Sequence, residues 1–143
     1  MNARHASLIE PLRACEAETL LVVDDDKVLR KMEVLVLRRL GYTVLEAEGP
    51  AEAMQLAAAT PTIHLLLTDF AMPEVDGMEL TRQFREVHPE TPVLMISGSS
   101  ETIYGRAEYP DRFAVLAKPF TYEELVDGVA AMLSASTTRQ AVA

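Results

Sequence analysis

Five short apolar segments, separated by helical patterns, constrain the fold of this chain more than any other feature of its sequence. They are rich in Leu, Val and Ile and do not alternate regularly with polar residues, which is typical of strands buried on both faces of a parallel sheet. The segments are Leu20–Val23, Thr43–Leu45, Ile63–Leu67, Pro92–Ile96 and Phe113–Ala117. Their alternation with helices predicts an α/β sandwich, in which right-handed crossovers place helices on both faces of the sheet.

The first helix is predicted between the first two strands, with Asp26 as its N-cap and Gly41 as its stop signal. Apolar residues at helical spacing predict its buried face, which consists of Val28, Leu29, Met32, Leu35, Val36 and Leu40. A further helix is predicted somewhere within Ser100–Glu108.

The remaining helices carry clear start signals. Pro50 follows Gly49 and is predicted at the first position of the second helix. Asp76 and Glu79 have the spacing of a capping box, and Thr121 and Glu124 have it before the last apolar stripe, which ends at Leu133. The patterned region, residues 19–133, is therefore predicted to be one folded domain, and residues 1–18 and 134–143 are predicted to be flexible ends.

Composition excludes several classes of function. The chain has 143 residues and a net charge of −9, so its surface is expected to repel nucleic-acid phosphates and acidic membranes. A single cysteine rules out an internal disulfide, and no apolar stretch reads as a signal peptide or a membrane span. These features predict a cytoplasmic protein with no direct nucleic-acid or membrane contact. A monomer or weak dimer is expected.

Polar side chains follow four of the five predicted strands. In a doubly wound parallel sheet these positions meet at one edge, where ligands bind. The residues are Asp24, Asp25 and Asp26, then Asp69, then Ser97, then Lys118. Each pair of carboxylates about 4 Å apart costs about 4 kcal/mol at an effective dielectric constant near 20, so a cation is needed to offset the repulsion. Hard oxygen ligands suit Mg²⁺, and a lysine beside the metal indicates that an additional anion, such as a phosphoryl group, binds there.

The four motifs "VVDDD", "LLLTDFAMPEVDGMEL", "VLMISG" and "AKPF" together resemble the receiver domain of two-component response regulators. The resemblance covers about residues 19–133. It implies a flavodoxin-like three-layer sandwich, with a five-stranded parallel sheet in the order 2-1-3-4-5. It also implies a cis peptide bond between Lys118 and Pro119.

The resemblance assigns a role to each residue that matches a family motif. Asp69 matches the phosphoacceptor, and Asp24, Asp25, Asp69 and the backbone carbonyl of Ala71 match the groups that hold Mg²⁺, Asp24 mostly through water. Ser97 and Lys118 match the residues that bind the phosphoryl group. Val115 departs from the family, which usually has an aromatic switch residue there. Because of this valine, phosphorylation is predicted to be reported mainly by the loop from Ser97 to Tyr109.

By resemblance, the protein is a phosphoacceptor in a two-component phosphorelay and not an enzyme acting on other substrates. It is expected to receive a phosphoryl group from a sensor histidine kinase or a histidine phosphotransfer protein and to signal by docking an unknown downstream protein. A stand-alone receiver is expected. Two alternatives remain open. One is an aspartyl phosphatase of the haloacid-dehalogenase type, which would use an aspartate on the first strand. The other is a receiver-like binding module that is not phosphorylated.

Overall fold

A computed structural model describes residues 17–98 and 110–142, with side chains described through residue 135. Five strands form one parallel sheet in the order β2-β1-β3-β4-β5, as predicted. The strands are β1 (Thr19–Val23), β2 (Thr43–Ala47), β3 (Leu65–Asp69), β4 (Val93–Ser97) and β5 (Phe113–Ala117). The described helices are α1 (Lys27–Arg39), α2 (Pro50–Ala59), α3 (Gly77–Val87) and α4 (Tyr122–Val142). The helix predicted within Ser100–Glu108 and most of the predicted N-terminal extension lie outside the described residues.

Both faces of the sheet are covered, which confirms the three-layer sandwich. Successive residues of a strand point to opposite faces, so Leu21 packs in one apolar cluster and Leu20 in the other. The first cluster contains residues of α2 and α3, and the second contains residues of α1 and α4. Every residue of β3 and β4 is buried. Burial on both faces explains why these strands read as unbroken apolar runs.

The predicted helix caps are present. The side chain of Asp26 accepts hydrogen bonds of 3.0 and 3.1 Å from two backbone amides of the first turn of α1. Asp76 caps α3 through a 2.9 Å bond to the amide of its third residue. Thr121 and Glu124 exchange reciprocal side-chain-to-backbone bonds at the start of α4. Gly41 follows α1 with a φ of +101°, a conformation that favours glycine.

The buried face predicted for α1 is wrong in part. Val28, Met32 and Leu35 are 81%, 37% and 54% exposed, so they form an outward stripe of the helix. The residues that face the sheet are Arg30, Glu33, Val34, Val36 and Leu37. Apolar residues occur on both sides of α1, so apolar spacing alone could not distinguish the face that packs on the sheet from the face that remains exposed.

The last helix is longer than the sequence analysis predicted. Its apolar stripe ends at Leu133, but α4 continues to Val142. After Gly128 the chain contains no glycine or proline, and alanine within the extension favours helix, so nothing in residues 134–142 terminates the helix. In the described part of the chain, no helix combines the length and the apolar character needed to cross a membrane.

Gly77 packs directly against the backbone at the end of β3. Its amide donates a 2.7 Å hydrogen bond to the carbonyl of Phe70. A Cβ atom at position 77 would lie 2.6 Å from the carbonyl oxygen of Asp69 and 2.5 Å from the sulfur of Met95. Both distances are far below van der Waals contact. The missing side chain therefore lets α3 begin beside the segment that carries Asp69.

Replacing Gly77 by Ala should destabilise the protein by about 1–3 kcal/mol, the usual cost of overpacking a well-packed site. The matched control is Gly49→Ala, because a Cβ at position 49 meets nothing within 4 Å. Urea unfolding of both variants measures the difference. A Gly77→Ala variant as stable as the unmodified protein would show that the close packing at Gly77 is relieved without cost.

Candidate functional site

Parallel pairing brings the carboxyl ends of β1, β3, β4 and β5 to one edge of the sheet. Hydrogen bonds continue the pairing one residue past two of these strands. The amide of Asp24 donates to the carbonyl of Ala47 at 3.2 Å, and the amide of Lys118 donates to the carbonyl of Ser97 at 2.8 Å. These bonds fix where Asp24 and Lys118 leave the sheet. Their side chains therefore start from defined positions at this edge, which is called the rim below.

Three carboxylates meet at this rim. One oxygen from each of Asp24, Asp25 and Asp69 lies within 4.8 Å of the other two. Asp24 and Asp69 are 1% and 4% exposed, whereas Asp25 is exposed. The sequence predicted this convergence, and the structure brings the three side chains together. Asp26, which follows Asp25 in the sequence, caps α1, as predicted.

Lys118 reaches into the same cluster. Its Nζ atom lies 2.8 Å from Oδ1 of Asp69. Burial opposes the charged form of Lys118, but the hydrogen bond and charge of Asp69, joined by the charge of Asp24, outweigh burial and raise its pKa. The Lys118–Pro119 peptide bond is cis, as predicted. The site thus holds an ammonium group in contact with one of its two buried aspartates.

The remaining predicted residues lie around this core of the site. Ser97 ends β4, is 1% exposed, and donates its hydroxyl to the carbonyl of Gly98 at 3.0 Å. Val115 lies opposite Met95 in the sheet and is partly buried. Ala71 is exposed in the segment after β3. Of the predicted switch loop, residues 99–109 lie outside the described residues, so its proposed movement stays a prediction.

Asp24 is held from both sides. Its Oδ1 atom accepts a 2.9 Å hydrogen bond from the amide of Asp26, and its backbone carbonyl accepts a 2.8 Å bond from the guanidinium of Arg30. Arg30 also pairs with Glu46 at 3.0 Å, which anchors α1 to β2. Burial raises the pKa of Asp24 to about 6, and the charges of Asp69 and Asp25 add to this rise, while the amide of Asp26 and the charge of Lys118 oppose it. Asp24 is therefore fixed in place, and burial destabilises its ionised form.

Glu33 is a fourth acidic group near the site, and the sequence analysis missed it. It lies on the inner face of α1 and is 1% exposed. Burial raises its pKa to about 8, with further contributions from the charges of Asp24 and Asp69. The signal in the sequence was available, since Arg30, Glu33, Val34 and Leu37 share one helix face at spacings of three and four residues. The apolar stripe on the opposite side obscured it.

The rim fits a divalent cation. Within the described residues, three aspartates face one lysine ammonium, which leaves two negative charges when all are ionised. The Oδ2 atom of Asp24 is buried and has no hydrogen-bond partner in the described parts of the chain. Carboxylate oxygens with one exposed side are the donor set that Mg²⁺ prefers, because Mg²⁺ retains several waters. The chemistry of these donors therefore agrees with a magnesium site.

Comparison with known families identifies the class of protein that this fold and site define. A sequence profile described as "Response regulator receiver domain" matches residues 20–130, which is most of the chain. The chain therefore belongs to the response regulator receiver family of two-component systems. Members of this family are signalling domains and not conventional enzymes, so the phosphatase alternative is set aside.

Individual relatives agree with this assignment. The response regulator receiver protein CpdR of Brucella abortus is 34% identical over 118 residues, which cover 82% of this chain and 98% of CpdR. The sensor kinase CckA of the same organism is 34% identical over 117 residues, which cover 80% of this chain but 12% of the kinase. A receiver protein structure from Sinorhizobium medicae WSM419 superposes with a TM-score of 0.76 at 29% identity and covers 85% of this chain and 98% of that one.

The raised pKa values of Asp24 and Glu33 predict that the metal-free protein loses stability as the pH rises. Their pKa values in the folded protein, about 6 and about 8, exceed the ordinary values of 3.8 and 4.5. The folded state therefore holds these protons more tightly than the unfolded chain does. The stability contributed by the protonated forms is fully present below the ordinary values and is lost as the pH rises through the folded values.

Urea unfolding in EDTA at a series of pH values measures this loss. Between about pH 5 and pH 8, Glu33→Gln should reduce the downward slope by up to about 1.4 kcal/mol per pH unit relative to the unmodified protein. The control is Glu86→Gln, because the side chain of Glu86 is 67% exposed and pairs with Arg82 on the surface of α3. If the slopes of all three proteins agree, Glu33 does not titrate in this range.

Proposed function

We propose that the protein accepts a phosphoryl group on Asp69 within a two-component phosphorelay, and that phosphorylation switches a surface that docks another protein. The observation that carries this proposal is the contact of 2.8 Å between Lys118 Nζ and Asp69 Oδ1 at the edge of the three-aspartate cluster. An ammonium group that only neutralised Asp69 would not need two further carboxylates beside it. Together these groups suit a cation and a transferable anion.

The phosphodonor is a phosphohistidine of a sensor histidine kinase or of a histidine phosphotransfer protein. In the transfer, a carboxylate oxygen of Asp69 forms the new bond to phosphorus while the nitrogen–phosphorus bond of the donor breaks, and the electron pair of that bond stays with the imidazole. The relatives named above include a kinase and a receiver protein, which supports a donor of this kind. The exposed apolar stripe of Val28, Met32 and Leu35 begins beside the rim and offers a surface that a protein donor would cover.

Asp24, Asp25, Asp69 and the carbonyl of Ala71 would hold Mg²⁺, which supplies positive charge to the phosphoryl oxygens. Lys118 exchanges part of its interaction with Asp69 for one with a phosphoryl oxygen and thereby orients the group. The hydroxyl of Ser97 now donates to the carbonyl of Gly98 at 3.0 Å, so it must rotate away from that carbonyl to reach a phosphoryl oxygen. This rotation gives the site two arrangements, which is what a switch requires.

The output belongs to the same proposal. The change at Ser97 is passed to the segment that follows β4, and Val115 does not supply the aromatic ring that the family usually places behind the hydroxyl. The downstream partner is a protein and not a nucleic acid, since the net charge is −9. The monomeric or weakly dimeric state and the cytoplasmic location remain predictions.

Intact-mass analysis after incubation with a small acyl phosphate and Mg²⁺ tests the assignment of Asp69. One phosphoryl adduct is expected on the unmodified protein and none on Asp69→Asn. Asp76→Asn is the matched control: it replaces an aspartate in the same connection by an amide that can still cap α3, and it should retain the adduct. An adduct that survives Asp69→Asn contradicts the assignment. A protein that binds Mg²⁺ but never gains an adduct is instead the unphosphorylated binding module.

A further inference from the structure

Glu33 is a buried carboxyl group that the proposed phosphorylation chemistry does not use. It is 1% exposed, and its Oε2 atom has no hydrogen-bond partner among the residues that the structure describes. A buried carboxyl oxygen without a partner is costly, and the cost is greatest when the group is ionised. The helix position would accept an apolar side chain, since Val34 and Leu37 on the same face pack in the core. An acidic residue at this position therefore indicates that a positive charge binds nearby.

Helix geometry directs Glu33 toward the rim. Arg30, three residues earlier on the same face of α1, donates a 2.8 Å hydrogen bond to the carbonyl of Asp24. Side chains of a helix tilt toward its N-terminus, which in α1 is the end that follows Asp24, Asp25 and Asp26. The charges that act on Glu33 most strongly are those of Asp24 and Asp69, followed by Lys118. Its carboxyl group therefore lies behind the aspartate cluster, on the protein side.

We propose that Glu33 is a fourth carboxyl group of the divalent-cation site, a positioning residue that strengthens cation binding from behind Asp24. This inference deepens the proposed function and rests on the cation site described there. Glu33 is not one of the three carboxylates whose oxygens lie within 4.8 Å of one another, so it does not join them as an equivalent ligand. It acts through Asp24, by its negative charge.

This placement has opposite consequences with and without the cation. Without a cation, Glu33 adds one more negative group to a cluster that already repels itself, and its unpaired oxygen destabilises the fold. With a divalent cation, the same charge attracts the ion through a poorly solvated region and stabilises the bound state. Groups that support metal ligands from outside typically change metal affinity 10- to 100-fold when they are replaced. Glu33 should therefore make the protein more dependent on its cation.

Calorimetric titration with Mg²⁺ tests this role at about pH 8.5, because burial raises the pKa of Glu33 to about 8 and the group must be ionised. Glu33→Gln keeps the shape of the side chain without its charge and should weaken Mg²⁺ binding by about tenfold or more. Glu33→Leu should weaken binding similarly and should also raise the melting temperature of the metal-free protein, since it removes the unpaired buried oxygen. The matched control, Glu86→Gln, removes the same charge from an exposed side chain on α3 and should leave the affinity unchanged.

Asp25→Asn separates failure of this inference from failure of the cation site itself. It should abolish or greatly weaken Mg²⁺ binding, because Asp25 is the exposed member of the three-aspartate group. If Asp25→Asn has that effect while both Glu33 variants stay within about twofold of the unmodified protein, Glu33 is a structural acid only and the proposed function stands. If the unmodified protein does not bind Mg²⁺, the cation site and the role of Glu33 are both wrong.

Discussion

Mutual repulsion among carboxylates at one edge of a parallel sheet is the constraint on which the rest of this structure depends. One oxygen from each of Asp24, Asp25 and Asp69 lies within 4.8 Å of the other two, at the ends of strands that are otherwise mostly apolar. Such a cluster stores unfavourable energy unless positive charge is supplied. Lys118 supplies one positive charge at 2.8 Å from Asp69, and a divalent cation would balance the negative charge that remains. Because the fold holds the carboxylates together, a cation and an incoming phosphoryl group would bind without prior assembly of the site.

The surrounding scaffold keeps the cluster from relaxing. Hydrogen bonds past the strand ends fix Asp24 and Lys118, and Arg30 ties α1 both to the carbonyl of Asp24 and to Glu46 of β2. Gly77 lets α3 begin against the backbone that carries Asp69. The apolar clusters on both faces of the sheet resist separation of the strands. The acidic side chains can therefore respond to repulsion mainly by taking up protons or binding a cation.

Much of this arrangement was predictable from the sequence because its causes are local. Buried parallel strands read as apolar runs, and the polar residues at the ends of four of the strands are directly visible in the sequence. The caps at Asp26, Asp76 and Thr121 have fixed spacings, so the starts of three helices were found. The convergence of Asp24, Asp69 and Lys118 follows once the strand order is known, and the family motifs supplied that order.

The errors have physical reasons as well. Apolar residues on both sides of α1 left its orientation undetermined, and the packing against β1 and β2 decides it. The exposed stripe of Val28, Met32 and Leu35 was therefore assigned to the core, and Glu33 escaped notice. The extent of α4 was missed because the residues after Leu133 show no apolar periodicity, although nothing among them ends a helix. For α1 the sequence pattern reflects local propensity, whereas the choice of buried face depends on tertiary contacts.

The most direct test of the central claim is the location of a bound divalent cation in a crystal of the protein grown with Mn²⁺ in place of Mg²⁺. Anomalous scattering from Mn²⁺ marks the ion independently of the protein atoms. One strong peak is expected at the rim, in contact with carboxylate oxygens of Asp25 and Asp69 and close to Asp24, with Lys118 at its side. A fully soaked crystal without a peak at these aspartates, or with its principal peak elsewhere, would contradict the claim that cation binding resolves their repulsion.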